Sequence, residues 1–103
     1  GKGNPSPIFA EKKVEAFRVY PLGKDKKHIK LFCRVPGRNE KIDALAFNST
    51  EKLENLIGRE KMNYILKNNP ANLKLDIIYS PDINEYKGNK SIQLLVKDFR
   101  LSK

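Results

Sequence analysis

Between His28 and Val35 the chain alternates strictly. Ile29, Leu31, Cys33 and Val35 share one side of an extended segment, and His28, Lys30, Phe32 and Arg34 share the other. That period of two predicts a half-buried strand. The segment before it, Glu11 to Leu22, contains Val14, Ala16, Phe17, Val19, Tyr20 and Leu22. It is strand-like but apolar on both sides in places, which predicts a strand carrying a bend or bulge. A polar turn, Gly23 to Lys27, separates the two, and Pro36-Gly37-Arg38-Asn39 marks the next turn. Lys41 to Phe47 reads as a third strand with Ile42, Ala44 and Ala46 on one side. The period then lengthens. Leu53, Leu56, Ile57, Met62, Ile65 and Leu66 fit a helical stripe, with Gly58 a break between two helical pieces. Asn48, Ser49 or Thr50 supplies the cap, Asn48 and Glu51 having the spacing of a capping box, and Asn68-Asn69-Pro70 ends the helix. Leu73, Leu75, Ile77 and Tyr79 alternate along a fourth strand. Pro81 is either its end or a bulge beyond which pairing resumes. Tyr86 to Lys90 reads as a hairpin turn, and Ile92, Leu94 and Val96 begin a fifth strand running towards Leu101.

Three strands, a helix and two more strands is the order of the OB-fold, a five-stranded Greek-key barrel with its helix between strands three and four. The fold class is thus mainly β with one helical insert. An SH3-like barrel and a small α+β sheet are the rival topologies, and the helical insert argues against the first. The 103 residues support one such domain, over 11–103. Residues 1–10 open with a turn-rich stretch without periodicity and read as a linker or cut end. No apolar run approaches the roughly 18–20 residues of a membrane span, and no signal-peptide core opens the chain. One Cys and one His cannot make a disulfide or a zinc cluster. An intracellular domain without a membrane partner is expected.

Charge adds a partner class. The chain carries 21 Lys and Arg against 12 Asp and Glu, a net +9. Lys24, Lys26, Lys27, Lys30, Arg34, Arg38 and Lys41 against Asp25 and Glu40 make residues 24–41 a block of +5, and residues 85–103 carry +3. Clustering of this kind suits a surface that meets phosphate, although each lysine taken singly is equally well a solvated side chain. Catalysis finds no support. His28 has no carboxylate beside it in sequence, and Cys33 lies on the apolar side of its strand. Asp76, Asp82 and Glu85 are scattered by alternation and turns, and no phosphate loop is present. Binding is better served. In OB-folds the strand 2–3 face, flanked by the strand 1–2 and 4–5 loops, is the oligonucleotide surface. Here these positions hold Lys24, Lys26, Lys27, His28, Lys30, Phe32 and Arg34, then Tyr86, Lys87, Asn89 and Lys90. Phe32 and Tyr86 either stack on bases or pack against protein.

Several runs taken in order also resemble one family. Asn4-Pro5-Ser6-Pro7-Ile8-Phe9, Gly23-Lys24-Asp25-Lys26-Lys27-His28-Ile29-Lys30-Leu31 and Ile42-Asp43-Ala44-Leu45-Ala46-Phe47 do so in the first half. Asp76-Ile77-Ile78-Tyr79, Asn84-Glu85-Tyr86-Lys87-Gly88 and Ser91-Ile92-Gln93-Leu94-Leu95-Val96-Lys97-Asp98 do so in the second. Together they are similar to the C-terminal OB domain of bacterial RecJ exonucleases, while Asn55 to Asn72 fits least well. The resemblance implies an excised, noncatalytic domain that grips single-stranded DNA for a separate DHH phosphoesterase core. That core degrades the strand 5′ to 3′ in repair and recombination, and the Mn²⁺ or Mg²⁺ ions belong to it, so this chain needs no cofactor. By motif position the resemblance carries over Lys24, Lys27, His28 and Lys30, with Asn84, Tyr86, Lys87 and Asn89. It further implies a bacterial cytoplasmic setting, with a RecQ-type helicase and single-stranded-DNA-binding protein as partners. Binding is expected to be salt-sensitive and only weakly selective for sequence. A protein-interaction or structural module, docking the catalytic core or an acidic partner, is the alternative reading. An RNA-binding domain of the translation machinery is a third.

Overall fold

A computed structural model describes residues 7–103. The chain forms β1 (Phe9–Leu22), β2 (His28–Arg34), β3 (Lys41–Ala46), α1 (Thr50–Ile57), α2 (Arg59–Leu66), β4 (Leu73–Tyr86) and β5 (Asn89–Leu101). The strands close into a barrel in the order β1-β2-β3-β5-β4. All pairings are antiparallel except β3 with β5, which run parallel over Asp43–Gln93, Ala44–Leu94 and Leu45–Leu95. A closed, mainly β barrel with its helical segment between β3 and β4 is the arrangement read from the element order.

β1 closes the ring by serving two neighbours. Its residues from Glu15 to Leu22 pair with β2, and those from Phe9 to Ala16 pair with β4. Register shifts fall at Lys12–Lys13 and at Phe17. The second explains why the strand looks apolar on both sides: the bulged Phe17 turns outward, so the buried positions run Val14, Ala16, Val19. Inside the barrel these meet Ile29, Leu31, Cys33, Ala44, Ala46, Leu73, Leu75, Ile77, Leu94, Val96 and Phe99. Leu53 of α1 and Met62 and Ile65 of α2 are fully buried and plug the core. The helices are fastened outside as well. Lys52 forms an ion pair with Asp98, and its ammonium lies 4.6 Å from the centre of the Phe99 ring.

Three details differ from the sequence pattern. β1 begins at Phe9, two residues earlier than expected and inside the linker expected over residues 1–10, of which residues 1–6 lie outside the described residues. β4 does not end at Pro81: pairing with β5 runs through Pro81↔Leu94 to Tyr86↔Asn89 without interruption, and the register shift falls earlier, at Ile78/Tyr79. Beyond Tyr79 the strand has no β1 neighbour among the described residues, the edge situation in which proline is tolerated. Finally, Leu56 is 37% exposed rather than part of the buried stripe. Gly58, at φ 90° and ψ 154°, divides the helices in a conformation that a side chain strongly disfavours.

No capping box forms at α1. Ser49 occupies the cap position without a side-chain bond to the helix, and its hydroxyl donates to the Phe47 carbonyl. The Thr50 hydroxyl donates to the Lys26 carbonyl, while the Lys27 carbonyl accepts from the Ser49 and Thr50 amides. The β1–β2 loop, rather than a local side chain, satisfies this helix start.

Asp76 of β4 clips β1 to the C-terminal end of β5. Its carboxylate accepts from the Ser102 hydroxyl at 2.6 Å, the Lys13 amide at 3.0 Å and Arg100 Nε at 3.0 Å. The Lys13 backbone is left-handed, φ 58°, so this carboxylate holds a bulge that lysine by itself disfavours. The bond from Ser102, then those from Lys13 and Arg100, pull the Asp76 carboxyl down from 3.8 to about 2. A group depressed in the folded state stabilises fully above its unfolded value and loses that contribution as pH falls through the folded one. Thermal melts of wild type and Asp76→Asn should therefore differ most near about pH 6 and converge between 3.8 and about 2. Parallel melting profiles over that range would rule the clip out.

Candidate nucleic-acid interface

Directly paired residues lie on the same face of a sheet, so the register defines the barrel's outer face as a set of rows. At the β1–β2 loop, Leu22 pairs with His28, whose ring packs edge-on to Phe47 with centroids 5.1 Å apart. The next row is Tyr20, Lys30, Leu45 and Leu95. Below it come Arg18, Phe32, Asp43, Gln93 and Asp82. Glu15, Arg34 and Lys41 form the last, and Phe17 bulges beside them. The parallel pairing of β3 with β5 sets the start of β5 at the Lys41 end of this face. The face is thus bounded by the Lys24–Lys27 loop at one end and the β4–β5 hairpin at the other.

The outward cations of β2 are partly neutralised. Lys30 Nζ lies 3.3 Å from Asp43, and Arg34 lies 3.2 Å from Glu15. Such half-exposed pairs are worth roughly 0–1 kcal/mol, so a phosphate can compete for either cation. Lys41 and the exposed lysines of the β1–β2 loop have no such pairing among the described residues.

Phe32 is half-buried. Its ring lies 6.4 Å from that of Phe17, tilted by 58°, and the Lys41 ammonium stands 5.5 Å from the Phe32 centroid and 5.3 Å from that of Phe17. Arg34 covers Phe17 from 5.5 Å. The more open rings are Phe47, 58% exposed, and Tyr86, 72% exposed. Lys41 belongs to the basic block of 24–41, whereas Phe17, Arg18, Tyr20 and Phe47 are not singled out by the sequence as part of this surface. Their only signal was the unexplained apolarity on both sides of β1 and an aromatic residue just past β3.

His28 is held more firmly than an outward strand position requires. Its Nδ1 accepts from the Asn48 amide at 2.9 Å. A Cβ placed on Gly23 would approach the imidazole to 2.9 Å, so the loop needs glycine there. His28 thus joins the β1–β2 loop to the start of α1, and its distance from any carboxylate no longer needs explaining.

The hairpin turns on Lys87 and Gly88, both left-handed at φ 50° and 81°, the geometry of a two-residue type I′ turn. Asn84, Tyr86 and Asn89 share the parity of Asp82 and Gln93 and continue the outer face. Lys87 caps the tip, 5.4 Å from the Tyr86 centroid. Lys90 falls on the opposite side of the ribbon, paired in register with Glu85 and next to the Ile83–Ile92 pair. Arg100 of the same basic block is engaged by Asp76.

Cys33 is buried in the core, and burial, then the Asp43 charge, push its thiol up to about 12, far from a nucleophile's range. Among the described residues no group of three or more His, Cys, Asp or Glu is placed to hold a metal ion. No helix there is long and apolar enough to cross a membrane.

Barrel, plug and open strand 2–3 face define an OB-fold domain. Solved structures agree on the fold. Two crystal forms of Rim1, the mitochondrial single-stranded DNA binding protein of S. cerevisiae, superpose with TM-score 0.55 at 10% and 11% identity. They cover 94% and 95% of this chain and 96% of theirs. The chain belongs to the RecJ OB domain family, whose pattern matches residues 1–98. It is 30% identical over 97 residues to the single-stranded-DNA-specific exonuclease RecJ of Haemophilus influenzae, covering 93% of this chain but 14% of that protein.

Proposed function

We propose that this chain is a noncatalytic domain that holds single-stranded DNA for a RecJ-like 5′-to-3′ exonuclease. The observation that carries the reading is the outer face itself. Exposed rings at Phe47 and Tyr86 stand at its two ends, with lysines beside each and the sheet between them. Rings stack on bases while lysines neutralise the backbone, the combination that suits an unpaired strand. Duplex DNA hides its base faces and would gain only the electrostatic part. The relative named for single-stranded-DNA-specific exonuclease activity supports the same polymer, and Mn²⁺ or Mg²⁺ would serve catalytic domains elsewhere in a longer chain.

Labelled oligo(dT) and a matched duplex, titrated at two salt concentrations, test the reading. The single strand should bind more tightly and weaken as salt rises, with no Mn²⁺-dependent degradation. Absence of single-strand binding at low salt would refute it.

One observation favours protein docking by another part of the molecule. Ile83 and Ile92, 64% and 55% exposed, pair on the side of the hairpin away from Tyr86. That side suits contact with catalytic domains of a parent chain and is compatible with a DNA-binding outer face. A RecQ-type helicase, single-stranded-DNA-binding protein and a bacterial cytoplasmic setting rest on the family resemblance.

A further inference from the structure

The middle row of the outer face is its least basic part, and beyond Phe32, away from Arg18 of β1, its chemistry is one-sided. Phe32, Asp43, Gln93 and Asp82 follow one another across β2, β3, β5 and β4. Gln93 Nε2 donates to Asp82 Oδ2 at 2.8 Å. An ionised carboxylate can only accept, so the amide must turn its NH₂ towards Asp82 and leave its carbonyl oxygen as the group it offers. One oxygen of Asp43, Oδ2, is engaged by Lys30 at 3.3 Å. Its other oxygen has no partner among the described hydrogen bonds, and the side chain is 41% exposed. Beside the Phe32 ring the row therefore presents acceptors: a carboxylate, an amide carbonyl and a second carboxylate.

Two consequences follow if a single strand lies here, as the preceding reading holds. Phosphates are repelled from the carboxylates of β3 and β4 and settle towards Arg18, Lys41 and the loop lysines, leaving bases to face the acceptors. Acceptors then distinguish those bases. Cytosine, adenine and guanine carry exocyclic amino groups that can donate, whereas uracil and thymine present one imide N–H between two carbonyl oxygens. The Lys30 partnership lowers the cost of holding Asp43 close to a polyanion, because the pair is neutral as a unit.

We infer that the Asp43–Gln93–Asp82 row reads base edges and selects amino-bearing bases, in place of the near-indifference to sequence expected from phosphate contacts and stacking alone. This inference depends on single-strand binding, and its test separates the two. Oligo(dC) and oligo(dU) of equal length have the same backbone and nearly the same ring, but differ at the base edge: amino against carbonyl at C4, and a bare against a protonated N3. Anisotropy titrations at mildly alkaline pH, where cytosine stays neutral, should show oligo(dC) binding about fivefold more tightly, the lower end of what one good base-edge contact gives. Asp43→Asn, able to present either a donor or an acceptor, and separately Gln93→Ala should bring that ratio towards one. Because the readout is a ratio, the general gain in affinity from removing a negative charge cancels. Thermal melts identify any variant that fails to fold, and the other then decides. Equal affinity for the two oligonucleotides, or a preference that survives both substitutions, overturns base selection and leaves DNA binding standing. Failure to bind either oligonucleotide removes the DNA reading and this inference with it.

Discussion

Leu53→Ala is expected to lower the stability of this chain by about 2–5 kcal/mol, the range for truncating a large buried aliphatic residue. Leu53 is completely enclosed and is the buried anchor of α1. The cost should sit towards the upper end. The cavity would open between a helical plug and a closed sheet, and a ring of hydrogen-bonded strands cannot contract to fill it. Domains of this size are typically stable by only 5–15 kcal/mol, so the loss is a large share of the total. Urea denaturation should show a lower midpoint with an unchanged slope. A shift below about 1 kcal/mol would mean that the plug is not cooperative with the barrel. Leu56→Ala, on the exposed side of the same helix, is the matched control.

The second large effect concerns binding. Replacing Lys24, Lys26 and Lys27 together by Ala should weaken oligo(dT) binding roughly tenfold or more at low salt. It should also reduce the slope of log affinity against log salt by about 2, since each lost phosphate contact removes about 0.7 for single strands. The loop's backbone, not its ammonium groups, supports α1 through the Lys26 and Lys27 carbonyls. The folded state should therefore survive the change. An unaltered salt slope would show that these lysines do not meet phosphate and would move the electrostatic contact to Lys41 and the hairpin.

Local pattern was informative wherever one element answers to one period. The alternation of β2, the shift to a helical stripe and the break at Gly58 all depend on nearest neighbours, and each was legible. Pro81 left two readings open, an end of β4 or a bulge beyond which pairing resumes, and local pattern could not choose between them. Whether proline ends a strand depends on which neighbour that strand retains, and the described β1–β4 pairing begins only at Phe9↔Tyr79. The same holds for the interface. β2 could be read alone, but its partners on the face, Tyr20, Arg18, Asp43, Lys41 and Gln93, are brought there by register with β1, β3 and β5. Register shifts at Phe17 and at Ile78/Tyr79 then move the parity of everything beyond them. Nor does a charge count reveal that Lys30 and Arg34 face Asp43 and Glu15, or that Arg100 is engaged on another side of the molecule. The basic surface is consequently smaller than the sequence suggests, and concentrated at its two ends.

The β3–β5 junction gives the barrel a seam. It is its shortest pairing, recorded over three residues from Asp43 to Leu45, where β2 with β3 spans six. The Asp43–Gln93 step of the outer face crosses that seam. A strand lying along the row would bridge the two sides like a suture, so occupancy and ring closure are thermodynamically linked. Ligand would slow hydrogen exchange at the Asp43–Leu45 amides, and a mutation that loosens the seam would weaken binding without touching a contact residue. The proposed gripping surface and the fastening of the barrel are, at this point, the same few residues.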